Sequence, residues 1–133
     1  MMTVDMKAFE QIRALMGPRL ITTIGYFKED GEKAVAAMEH AQRSGDASAM
    51  IMPAHTLKTE ARQLGAIALG DHCYDIELGA RHCVEIQEGP EDLMVAVAKL
   101  RALFRETMTI FDRETNPLHA QTPKRRGFGR AVV

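Results

Sequence analysis

The chain has 133 residues, which on size grounds is one domain, long enough to bury a core. Hydrophobic residues make up 46% and charged residues 26%, the composition of an ordinary globular protein rather than a disordered or fibrous one. Lys and Arg number 17 against 18 Asp and Glu, a formal charge of -1, which excludes the overall basic signature of a dedicated nucleic-acid binder.

Helical periodicity starts with Met6, Phe9, Ile12, Arg13 and Met16 and is closed by Gly17-Pro18, predicting a short first helix. From Arg19 the stripe Leu20, Ile24, Phe27, Gly31, Ala34, Met38, Ala41 keeps to one face and predicts a long second helix. Ser44-Gly45-Asp46 should end it, with Gly45 in a left-handed cap and Asp46 capping the next segment. The third segment, about Ala47 to Leu69, buries Ala54, Leu57, Ala61, Leu64 and Ala68. Pro53 lacks the amide donor of a helix interior, so this helix either starts only a turn before it or is kinked there. Gly70 is expected to end it and Asp71 to cap the fourth helix, whose inner stripe is Leu69, Cys73, Ile76, Ala80, Cys83.

After Glu88-Gly89-Pro90 comes a last helix with Leu93, Val97, Leu100, Phe104, Thr107 and Phe111 inward. Met16, Met38, Met94 and Met108 read as flexible core filler. Short connections favour antiparallel neighbours, so the fold class is all-α: an up-and-down four-helix bundle with a short additional N-terminal helix, over residues 5-115. The segment from Asn116 to Val133 loses the period and reads as a basic, poorly ordered tail; its Lys124-Arg125-Arg126-Gly127-Phe128-Gly129-Arg130 is taken as a solvated end.

Two cysteines without CxxC spacing fit a reducing cytosol, and no run of about 18 uncharged apolar residues occurs. A cytoplasmic protein with no signal peptide and no membrane insertion is expected. The pairs His72-Cys73 and His82-Cys83 resemble metal ligands, but the cysteines lie on the core stripe and the four do not share a face, so burial is the better account.

The most informative stretch is Pro53-Ala54-His55-Thr56-Leu57-Lys58-Thr59-Glu60-Ala61-Arg62-Gln63-Leu64-Gly65-Ala66. On a helix Lys58, Thr59 and Arg62 share the face of His55, while Leu57, Ala61 and Leu64 turn to the core. The imidazole then stands outside the bundle among cations, a poor metal site and a good place for a phosphoryl group. An isolated histidine on a helix is usually no more than a surface residue. The wider pattern is more specific: Ala54-His55-Thr56-Leu57-Lys58, then Leu64-Gly65-Ala66, Leu69, Cys73 and Ile76-Glu77, with Leu20 through Phe27 and Asp30 to Ala41, Gly45 and Asp46 before it, resembles the histidine phosphotransfer (HPt) domain over roughly residues 5 to 115.

The resemblance implies that His55 is the phosphoacceptor and that Lys58 stabilises the phosphoryl group. Glu77 would hydrogen-bond and orient the imidazole, and Gly65 would allow close helix approach. It implies a carrier in a two-component phosphorelay, exchanging with aspartates of response-regulator receiver domains or serving a sensor or hybrid histidine kinase. Mg²⁺ is expected on the receiver, with no cofactor of the chain's own, no autonomous ATP-dependent kinase activity, no nucleic-acid partner and a monomer by default. A patch around Phe27, exposed beside His55, would suit a receiver helix. The chain departs from the family pattern at Pro53 and at Thr59 and Glu60, where glycine and a small residue are usual; Thr59 is placed to cover part of the ring. That departure leaves a second reading, a non-transferring HPt-like module that docks on and regulates a kinase or receiver, and the basic tail a third, a helical adaptor that binds through it.

Overall fold

The computed structural model describes residues 2-116. Helix α1 (Met6–Met16) is capped by Asp5, whose carboxylate accepts the Ala8 amide at 3.1 Å, and it ends at Gly17. Helix α2 (Arg19–Ser44) closes on Gly45 at φ 68°, with the Asp46 amide returning to the Ala41 carbonyl. Asp46 then accepts the Ala49 amide at 3.1 Å, and α3 (Ser48–Gln63) begins. Helix α4 (Ile67–Glu85) comes next, then a 3-10 turn at Glu91–Leu93 and α5 (Met94–Thr115). Helices α2 to α5 form the four-helix bundle, each packed on its neighbour in sequence and α5 returning to α2. The fold class read from the sequence is the one observed, and among the described residues no helix is long and apolar enough to cross a membrane. The tail from 117 onward lies outside the described residues.

Several boundary and burial expectations are corrected. Helix α3 stops at Gln63, and Gly70 lies inside α4 instead of ending α3. The chain turns at Leu64-Gly65-Ala66 because Gly65 takes φ 82°, a conformation costly for a residue with a Cβ. Gly70 serves packing: a Cβ there would lie 2.6 Å from Cγ of Arg62, which crosses over it from α3. Asp71 caps nothing and pairs with Arg62 at 3.1 Å. On α2 the buried position is Val35, with Ala34 only partly covered, and on α5 Met94 is 58% exposed, because the preceding turn buries Leu93 in its place. Pro53 sits within α3, which starts just over a turn before it.

The core gathers Phe9, Phe27, Phe104 and Phe111, with Phe9 stacked on Phe111 at 5.3 Å and Phe27 edge-on to Phe111 at 5.8 Å. Phe27 is thus buried, and the exposed docking patch expected around it is not formed by this ring. Cys73 and Cys83 are buried as the stripe required, and Thr107 is accommodated by donating its hydroxyl to the Leu103 carbonyl at 2.9 Å. Helix α1 seals one end of the bundle. The Asp5 amide donates to the Gly65 carbonyl at 2.8 Å, and Arg13 donates to the Glu114 carbonyl at 3.0 Å.

Candidate functional site

The α3–α4 turn is short, so the two helices pack side by side and His55 on α3 faces Glu77 on α4. The imidazole is 46% exposed, while the Glu77 side chain is only 6% exposed. Among the described residues Glu77 is the buried charged side chain, and its carboxylate is fully engaged. One oxygen, Oε2, accepts from Nδ1 of His55 at 3.0 Å and from Nη2 and Nε of Arg81 at 2.9 and 3.2 Å. The other, Oε1, accepts from Nζ of Lys58 at 2.8 Å.

Burial by itself would push the Glu77 carboxyl up, since it disfavours the charged form. The hydrogen bonds from Lys58, Arg81 and His55 outweigh it and hold the group at about 2. Glu77 is therefore a carboxylate at neutral pH and can only accept, which puts the His55 proton on Nδ1 and leaves Nε2 as the ring atom with a free lone pair.

The structure brings together His55, Lys58 and Glu77, the last of which only the family resemblance had placed there, with Lys58 turned to Glu77. Thr59 uses its hydroxyl on the His55 carbonyl at 3.1 Å, one turn back along its own helix. Two further residues escaped the sequence reading. Arg81 lies one helical turn beyond Glu77, a spacing that could have revealed it. Tyr74 holds two cations over its ring, Lys58 Nζ and Arg62 Cζ, each 5.2 Å from the centroid, and no sequence spacing announces a contact made between helices.

On the other flank of α3, Met16, Thr23, Tyr26, Phe27, Asp30 and Glu60 line a groove of about 200 Å³. Burial and the neighbouring Asp30 carboxylate push the Glu60 carboxyl up. The His-Cys pairs take no part in the site. His72 donates from Nε2 to the Ala96 carbonyl at 2.7 Å, and burial drives the Cys73 thiol to about 12. Among the described residues no group of three or more His, Cys, Asp or Glu is placed to hold a metal ion.

No family model matches the sequence, and no curated protein matches it. The structure is similar to the crystal structure of histidine-containing phosphotransfer protein B from Pseudomonas aeruginosa PAO1, at a TM-score of 0.58 and 22% sequence identity, over 80% of this chain and 95% of that one. With its helical bundle and no strand among the described residues, the chain has the fold of a histidine-containing phosphotransfer protein.

Proposed function

We propose that the chain is a phosphoryl carrier of a phosphorelay, with His55 as the acceptor. The observation that carries this reading is the half-exposed imidazole whose Nδ1 is held by a buried carboxylate at 3.0 Å. The Nε2 lone pair attacks the phosphorus of an aspartyl phosphate on a receiver domain. The P–N bond forms as the P–O bond to the aspartate breaks, and the receiver recovers its carboxylate. The ring becomes cationic while it keeps the Nδ1 proton, and Glu77 stabilises that charge through the bond it already makes. Lys58 offsets the negative charge of the phosphoryl oxygens. Passing the group on reverses each step.

The chemistry at His55 calls for no nucleotide, and the Mg²⁺ that assists the exchange belongs to the receiver. The partners are accordingly receiver domains of response regulators and a sensor or hybrid histidine kinase, met in the cytoplasm by a monomeric carrier.

Intact-mass measurement after treatment with phosphoramidate and, separately, with a phosphorylated receiver tests the proposal. Wild type should gain a single acid-labile phosphoryl group and His55→Ala none. Because Glu77 keeps Lys58 and Arg81, helicity and melting of the variant should stay close to wild type. Labelling of His55→Ala to the wild-type level would overturn the assignment.

A further inference from the structure

We infer that Tyr74 is a positioning residue for phosphoryl transfer: its ring holds the Lys58 ammonium ready to leave Glu77 for a phosphoryl group on His55. This rests on the carrier reading above. At rest Lys58 has two companions, the Glu77 carboxylate at 2.8 Å and the Tyr74 ring, whose centroid is 5.2 Å away. Its side chain is 14% exposed, so the ammonium has exchanged much of its water for those two contacts.

A phosphoryl group on Nε2 of His55, one turn back along α3, creates a competing anion that draws the ammonium away from Oε1. Glu77 can release it, because Arg81 stays bonded to Oε2 through both Nε and Nη2 and keeps the buried carboxylate compensated. Tyr74 keeps the ammonium near the site during this exchange. A ring attracts a cation through its quadrupole without fixing one direction, so it tolerates the shift where a second carboxylate would resist it.

Arg62 also lies over the ring, at 5.2 Å, one turn beyond Lys58 on the same helix. Two like charges at that spacing repel, which favours the Lys58 ammonium on the side nearer His55. Arg62 also pairs with Asp71 at 3.1 Å, in an exposed contact.

The test measures the rate at which full-length wild type, Tyr74→Leu and Tyr74→Phe take a phosphoryl group from one phosphorylated receiver, in the native and the Lys58→Ala backgrounds, with a thermal melt of each. Tyr74→Leu keeps bulk and loses the quadrupole; it should slow transfer roughly two- to tenfold. Tyr74→Phe should restore the wild-type rate, and in the Lys58→Ala background Tyr74→Leu should have no further effect. The inference is overturned by a Tyr74→Leu rate equal to wild type, by a Phe variant as slow as the Leu variant, or by an equal loss with and without Lys58. Failure of wild type to accept any phosphoryl group would instead overturn the carrier reading on which it depends.

Discussion

Glu77 sets the charge balance of the site, and its partners set its pH response. Its folded-state value, about 2, lies below the ordinary 4.5, so the unfolded chain takes up the proton first as pH falls. The stabilisation it contributes is complete above 4.5 and is lost as the pH drops through about 2. Thermal melts between pH 6 and about 2 should therefore show a falling Tm in wild type and a shallower fall in Glu77→Gln. Replacing Lys58 by Ala strands Oε1 in the interior and, on the carrier reading, removes the cation that offsets the phosphoryl charge. Loss of one charge-assisted contact, about 1.5 to 3 kcal/mol, should slow transfer roughly 10- to 100-fold, with a lower Tm in the same variant; rapid-quench labelling and a melt check both. His55, Lys58 and Glu77 were legible because helical spacing and a known pattern place them. Arg81 was legible in principle, as a helical neighbour of Glu77. Tyr74 was not, because its contacts depend on how α3 and α4 rotate against each other.

At the scale of the helix, the starts and stops written by short-range chemistry were readable and those written by packing were not. Gly45-Asp46 was read correctly since cap and stop are adjacent and local. The stop was read at Gly70, and only the positive φ at Gly65 moves the turn there and leaves Gly70 as the crossing point. Asp46→Ala should cost about 1 kcal/mol by removing the acceptor for the Ala49 amide, measurable by urea unfolding. A sharper comparison sets Gly31→Ala against Gly70→Ala. A Cβ at Gly31 would lie 2.3 Å from Cε1 of Phe104, a ring 1% exposed that cannot withdraw. At Gly70 the obstacle is Arg62, whose side chain is 42% exposed and can swing outward. Urea unfolding should show Gly31→Ala losing about 1 to 3 kcal/mol through overpacking and Gly70→Ala distinctly less.

For the molecule as a whole, α1 is the piece that ties remote parts together. It meets the α3–α4 turn through Asp5 and the end of α5 through Arg13 and Phe9. Phe9→Ala should therefore cost about 3 to 5 kcal/mol and, in hydrogen exchange, loosen the turn around Gly65 and the last turns of α5 together. Protection of either region at the wild-type level would show that α1 is a passive cover. The bundle was legible because five apolar stripes joined by short loops leave few other arrangements, whereas the exposure of Met94 turns on a single 3-10 turn that no stripe records. The pairing of His55 with Glu77 reaches across the Gly65 turn. Imidazole and carboxylate belong to different helices, so a synthetic peptide spanning α3 alone has the histidine without the group that fixes its proton, as does a nascent chain that has not yet emerged past residue 77. On the carrier reading, efficient transfer from a receiver therefore arrives only with the completed hairpin, and the rate of transfer reports whether the chain has folded.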